Sequence, residues 1–107
     1  MIEVNYHRKH HAVEVTGHAC CGESGHDLVC AGVSALVLTL AQNVASLVTQ
    51  KNVYSHTVCV KEGSAEIRCT PNARMRAVVS LIYDSICSGF DVMQTLYPEN
   101  IRVHIYE

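Results

Sequence analysis

The run from Leu28 to Val48 constrains this chain most. Leu28, Val29, Val33, Leu36, Val37, Leu40, Val44, Leu47 and Val48 recur at three- and four-residue steps, the period of an α-helix with a wide apolar arc. At 3.6 residues per turn the segment makes about five to six turns, and an arc this wide predicts a central, heavily buried helix. Ser34, Thr39, Gln42, Asn43 and Ser46 interrupt the run, so it reads as a core helix and not as a membrane span. Asp27 stands where an N-cap belongs, its carboxylate able to accept from the amides of Val29 or Cys30. Gly32, in the first turns, costs about 1 kcal/mol relative to alanine and predicts close packing or an approach to the backbone there.

The rest of the chain supplies a sheet for that helix. Ile2, Val4 and Tyr6 alternate with Glu3 and Asn5, and Val13 and Val15 with Glu14 and Thr16; both have the period of half-buried strands. The polar turn between them, rich in His7, Arg8, Lys9, His10 and His11, predicts a hairpin with solvated histidines. A second hairpin spans residues 54–61 and 64–70, turning at Glu62-Gly63. Opposing Val58 to Ile67 and Val60 to Ala65 puts apolar partners on one face, with Cys69 on that face and Cys59 on the other. Thr70-Pro71 reads as the cap and first position of a second helix, whose apolar stripe runs to Tyr97 before Pro98. Ile101, Val103 and Ile105 form a last alternating strand. The expected order is β-β-α-β-β-α-β, an α/β (α+β) fold in two layers: one five-stranded sheet packed with two helices, a single domain over residues 1–107.

Composition narrows function by exclusion. The net charge of -2 gives no basic surface for nucleic acid. The first residues, MIEVNYHRKH, lack the apolar core of an export signal, so a cytoplasmic protein off the membrane is expected. Its six cysteines are then thiols and not a disulfide framework.

One stretch carries chemistry. Residues 18–26 form a loop expected to be mobile, with Gly22 and Gly25 as hinge points and His26 at its end. Cys30 follows at the third position of a helix capped by Asp27, where free amides and the helix dipole favour thiolate. His18 sits at the other mouth of the loop, twelve residues earlier, placed to deprotonate Cys30 and later protonate a leaving amine. Ser34, four residues past Cys30, shares its helix face. The amides around Val29, Cys30 and Ala31 are the expected oxyanion donors. The rival chemistry is structural zinc held by His18, Cys20, Cys21, His26 and Cys30 in a binding or adaptor module. Adjacent cysteines without a C-x-x-C pair make a poor ligand set, so no metal is expected.

The two boxes Gly17-His18-Ala19 and Asp27-Leu28-Val29-Cys30-Ala31-Gly32-Val33-Ser34 together resemble the ribosomal-processing cysteine protease Prp family. The resemblance covers the whole length and implies a cofactor-free, homodimeric, cytoplasmic enzyme. It implies removal of the N-terminal extension of a large-subunit ribosomal protein, after an aromatic residue, by a Cys-His dyad. Carried onto matching positions, His18 is the base and Cys30 the nucleophile, with Asp27 and Ser34 in support. The loop interior, with Cys20, Cys21 and His26, departs from the family pattern and bears on substrate choice.

Overall fold

A computed structural model describes residues 1–17 and 24–107, with side chains described over 1–17 and 28–107. Five strands, β1 (Ile2–His7), β2 (Ala12–Thr16), β3 (Val53–Lys61), β4 (Ser64–Pro71) and β5 (Ile101–Tyr106), form one sheet in the order β3-β4-β2-β1-β5. Two helices, α1 (Ser24–Thr49) and α2 (Arg76–Leu96), complete the expected β-β-α-β-β-α-β order. All pairings are antiparallel except β1 with β5, which run parallel with Ile2 opposite Ile101.

The core follows from the strand period. Ile2, Val4 and Tyr6 of β1, Val13 and Val15 of β2, and Ala65, Ile67 and Cys69 of β4 turn one way and are buried. Val29, Val33, Val37, Leu40, Val44 and Leu47 of α1 and Val79, Tyr83, Cys87 and Phe90 of α2 close over them. The helices interlock through small residues: an added Cβ at Gly32 would meet the Met93 side chain, and one at Gly89 would meet Leu36. The close approach expected at Gly32 is therefore helix packing. The β3–β4 register is the expected one, with Val58 opposite Ile67 and Val60 opposite Ala65. Cys69 is buried and Cys59 exposed, as that register requires.

Several expectations are corrected. The helix containing Cys30 begins at Ser24, so Asp27 lies inside it and is not its N-cap. Thr70 and Pro71 belong to β4; the cap is Asn72, whose side chain accepts from the Met75 amide at 3.1 Å before a short 3-10 turn leads into α2. Proline is tolerated there because it closes the strand, where no further ladder donor is needed. Nor is α1 heavily buried all round. Leu28–Thr49 is long and apolar enough to cross a membrane by length and composition, and its inner face forms the core. Its outer face, with Ala31, Ala35, Leu38, Thr39 and Gln42, is exposed, because the sheet has only two helices to share. In α2 the stripe is phased on Val79, Tyr83, Cys87 and Phe90, which leaves Val78, Leu81 and Leu96 exposed. His11 is buried, its Nε2 2.8 Å from Ser80 Oγ, and is no part of a solvated cluster.

A polar clasp fastens α2 to the end of β1. Tyr6 Oη donates to Asp84 Oδ1 at 2.7 Å, and Arg8 donates from Nε and Nη2 to the same carboxylate at 3.3 and 3.2 Å. Hydrogen bonds from Arg8 first, then from Tyr6, hold the Asp84 carboxyl below the usual carboxylate range. A depressed folded pKa stabilises the fold above the unfolded value, about 3.9, and that stabilisation is lost as pH falls through the folded value. Asp84→Asn should therefore flatten the acid side of a Tm-against-pH curve. Superimposable acid limbs for the two proteins would show that the clasp contributes nothing.

Candidate active site

Cys30 stands on the inner side of α1, half-buried and packed against the core. It opens into a cavity of about 310 Å³ between α1, the end of β2 and the β3–β4 turn. Ile2, Val15, Val33, Val37, Leu38 and Val60 give that cavity apolar walls, and Lys61, Glu62 and Gly63 form its rim at the hairpin tip. Ser34 lines the same cavity and is exposed. The four-residue spacing thus brings Ser34 and Cys30 to one space, as the helix period requires.

Gly17 forms the remaining corner. It ends β2 with φ 95° and donates its amide to Gly63 O at 3.0 Å, tying β2 to the hairpin tip. An added Cβ would run into the Met1 carbonyl oxygen. Glycine is required twice over, by the left-handed backbone and by the lack of space.

Because α1 starts at Ser24, Cys30 is in the second helical turn and not at the third position. The amides of Val29, Cys30 and Ala31 then lie past the four free donors of a helix start. They bond within the helix and are not the oxyanion donors expected from the sequence. Cys30 likewise lies beyond the first turn, where the positive end of the helix dipole acts.

Other expected site residues divide by location. His18, Cys20, Cys21 and Gly22 lie outside the described residues, as does most of the loop expected to be mobile. Gly25 and His26 fall in the first turn of α1 and not in that loop, while the side chains of His26 and Asp27 are not among those described. Among the described residues no group of three or more histidine, cysteine or carboxylate side chains could hold a metal ion.

The remaining described cysteines make a contrast with Cys30. Burial raises the Cys69 thiol pKa, and burial first, then the Asp84 charge, pushes that of Cys87 up to about 12. Both are core packing groups, Cys69 on β4 and Cys87 on α2, with Tyr83 Oη 3.8 Å from Cys69 Sγ. Among the described cysteines, only Cys30 lines the cavity shared with Gly17 and Ser34.

Known proteins share this fold. The sequence model of the family described as cysteine protease Prp matches residues 1–102. The ribosomal processing cysteine protease Prp of Staphylococcus aureus (strain Mu50 / ATCC 700699) is 30% identical over 103 residues, 96% of this chain and 93% of that protein. The crystal structure of an essential ribosomal processing protease Prp from S. aureus, with a covalently linked product peptide, superposes with a TM-score of 0.74. It is 26% identical, and the match covers 98% of this chain and 99% of that one. The same S. aureus protease with a substrate peptide gives a TM-score of 0.73 at 25% identity, over 98% and 99% of the two chains. The family match, with the sequence identity and the shared fold, establishes that the chain belongs to the cysteine protease Prp family.

Proposed function

We propose that this protease uses Cys30 as nucleophile and His18 as general base to remove the N-terminal extension of a large-subunit ribosomal protein, cleaving after an aromatic residue. The observation that carries this reading is the cavity shared by Cys30 and Gly17, the residue joined directly to His18. Its apolar walls suit an aromatic or aliphatic side chain beside the thiol. The S. aureus relative, named for ribosomal processing and crystallised with a covalently linked product peptide, supports the same substrate class.

The chemistry runs in two halves. His18 takes the proton from Cys30 Sγ, and the thiolate attacks the scissile carbonyl carbon. His18 then protonates the departing amine as the C–N bond breaks, leaving a thioester. Water, deprotonated by His18, attacks that thioester and returns the Cys30 thiol. Incubation with the extended ribosomal protein and mass measurement of the new N-terminus tests the reading. Cleavage after an aromatic residue is expected; cleavage elsewhere, or none, overturns the substrate assignment.

Thiol reactivity gives a second test. Near neutral pH, iodoacetamide should label Cys30 and Cys59 in the folded protein and spare Cys69 and Cys87, whose thiols are buried and held protonated. His18→Ala should slow labelling of Cys30 alone. Equal rates at Cys30 in both proteins would remove His18 from the dyad.

The enzyme is proposed to act in the cytoplasm as a homodimer. Leu38 is 56% exposed, Val58 41% and Val60 45%. Val58 and Val60 share the sheet side of Ile67 and Ala65 through their register, so they face the helix layer where no helix covers them. They adjoin the uncharged outer face of α1, a surface suited to a second copy. Sedimentation should give about twice 11.8 kDa, and Leu38→Glu should shift it to the monomer. A monomeric wild-type protein at micromolar concentration would end this part of the reading.

A further inference from the structure

A second cavity lies at the far end of the sheet from Cys30. Ile2, beside Cys30, and His7, beside this second cavity, are separated by roughly 17 Å along β1 at about 3.3 Å per residue. The cavity encloses about 540 Å³ where the β1–β2 turn, the end of β4 and the start of α2 meet. That volume is in the range of small-molecule sites, about 300–1,000 Å³.

Its charged groups sort into two sets. Arg8 is spent: besides Asp84 it holds Glu107, donating from Nη1 to Oε1 and Oε2 at 3.1 and 3.2 Å. Both carboxylates in the wall are thereby engaged by one guanidinium. Lys9 and Arg76 also line the cavity, and among the described residues neither makes an ion pair. His10 stands beside them, and Thr70 and Ser80 add hydroxyls.

His11 and Ser80 add a polar pair to this wall. The His11 imidazole has its pKa lowered by burial first, then by the charge of Arg76, with His10 adding to the effect and Asp84 opposing it. The His11 Nε2 lies 2.8 Å from Ser80 Oγ, and this hydrogen bond holds the Ser80 side chain at the cavity wall. The chain enters α2 through the 3-10 turn Ala73–Met75, which Asn72 caps, and the Arg76 amide is bonded to Ala73 O.

We propose that this cavity binds the phosphoryl group of a small phosphorylated molecule, with Lys9 and Arg76 as the charged clamp and Ser80, Thr70 and His10 as hydrogen-bonding partners. The Asp84 and Glu107 carboxylates close one side and would repel the next phosphate of an extended polymer. The net charge of -2 also argues against a polyanion held over a wide surface. A compact anion seated at the Lys9–Arg76 side meets both conditions.

Calorimetric titration with inorganic pyrophosphate and with a nucleoside diphosphate, at ionic strength fixed with sodium chloride, tests the proposal. Saturable binding at one site per chain is expected, weakened about tenfold in Lys9→Gln or Arg76→Gln and lost in the double variant. Peptide cleavage should be unchanged in all three. Amide shifts in the wild-type protein should move at Lys9, His10 and Ser80 and stay fixed at Cys30, a readout that needs no variant to fold. Tighter binding of the nucleoside diphosphate would place a nucleotide body in the cavity; equal binding would confine recognition to the phosphoryl groups. No saturable binding, or undiminished binding by a folded double variant, overturns the proposal. So would a short oligouridylate that binds with steep salt dependence while pyrophosphate does not.

Discussion

Cys30→Ala should lower cleavage of the extended ribosomal protein by at least about 10³-fold, because a methyl group in place of the thiol cannot attack the scissile carbonyl. The change removes one sulfur from a half-buried position and should cost stability by only about 1 kcal/mol. The apolar cavity survives it, since Ile2, Val15, Val33, Val37 and Val60 supply the walls. Peptide binding should therefore persist while turnover is lost, separating nucleophile from scaffold. The measurements are initial rates by mass spectrometry and a peptide-binding isotherm on the same preparation. Cys30→Ala retaining wild-type turnover would remove Cys30 from the mechanism, and with it the reading of the cavity as a protease site.

Gly17→Ala should produce the largest stability loss from a single methyl group. Gly17 has φ 95°, and the new Cβ would meet the Met1 carbonyl oxygen. Met1 cannot easily retreat, because the adjoining Ile2 amide donates to Asn100 O at 2.8 Å and Ile2 is buried between β2 and β5. Left-handed strain and an overpacked backbone together cost about 2–4 kcal/mol. For a chain of this size that is a fall in Tm of roughly 10 °C or more. Activity should fall further than stability, because Gly17 walls the Cys30 cavity and is the residue before His18. Denaturant titration should move the midpoint with little change in slope. A variant with the wild-type midpoint would show that β2 can end here without glycine.

Both predictions turn on features that differ in how far the sequence discloses them. The β3–β4 register was legible because Val58, Val60, Ala65 and Ile67 admit one alignment that puts apolar partners opposite each other. The interlock at Gly32 was legible as a gap, but its filler, Met93, was not, because Met93 lies on another helix. Helix starts misled for a local reason. Asp27 and Thr70-Pro71 both match capping chemistry, yet a cap is used only where the chain leaves its preceding element. β4 runs on through Pro71, and α1 already starts at Ser24. His11 misled for a tertiary reason: a histidine in a basic turn reads as solvated until α2 brings Ser80 beneath it.

The sequence by itself determined the element order, the strand faces, the family boxes and Cys30 as the candidate nucleophile, because each is written in short-range period or spacing. Only the tertiary structure decided that β5 lies parallel to β1, that α1 keeps one face uncovered, and that Cys30, Ser34 and Gly17 share one cavity. It also decided that two carboxylates are spent on Arg8 while Lys9 and Arg76 are left facing a second cavity. These are relations between residues up to about a hundred positions apart, as with Arg8 and Glu107. Local propensity carries no information about them; packing of the sheet against its two helices sets them.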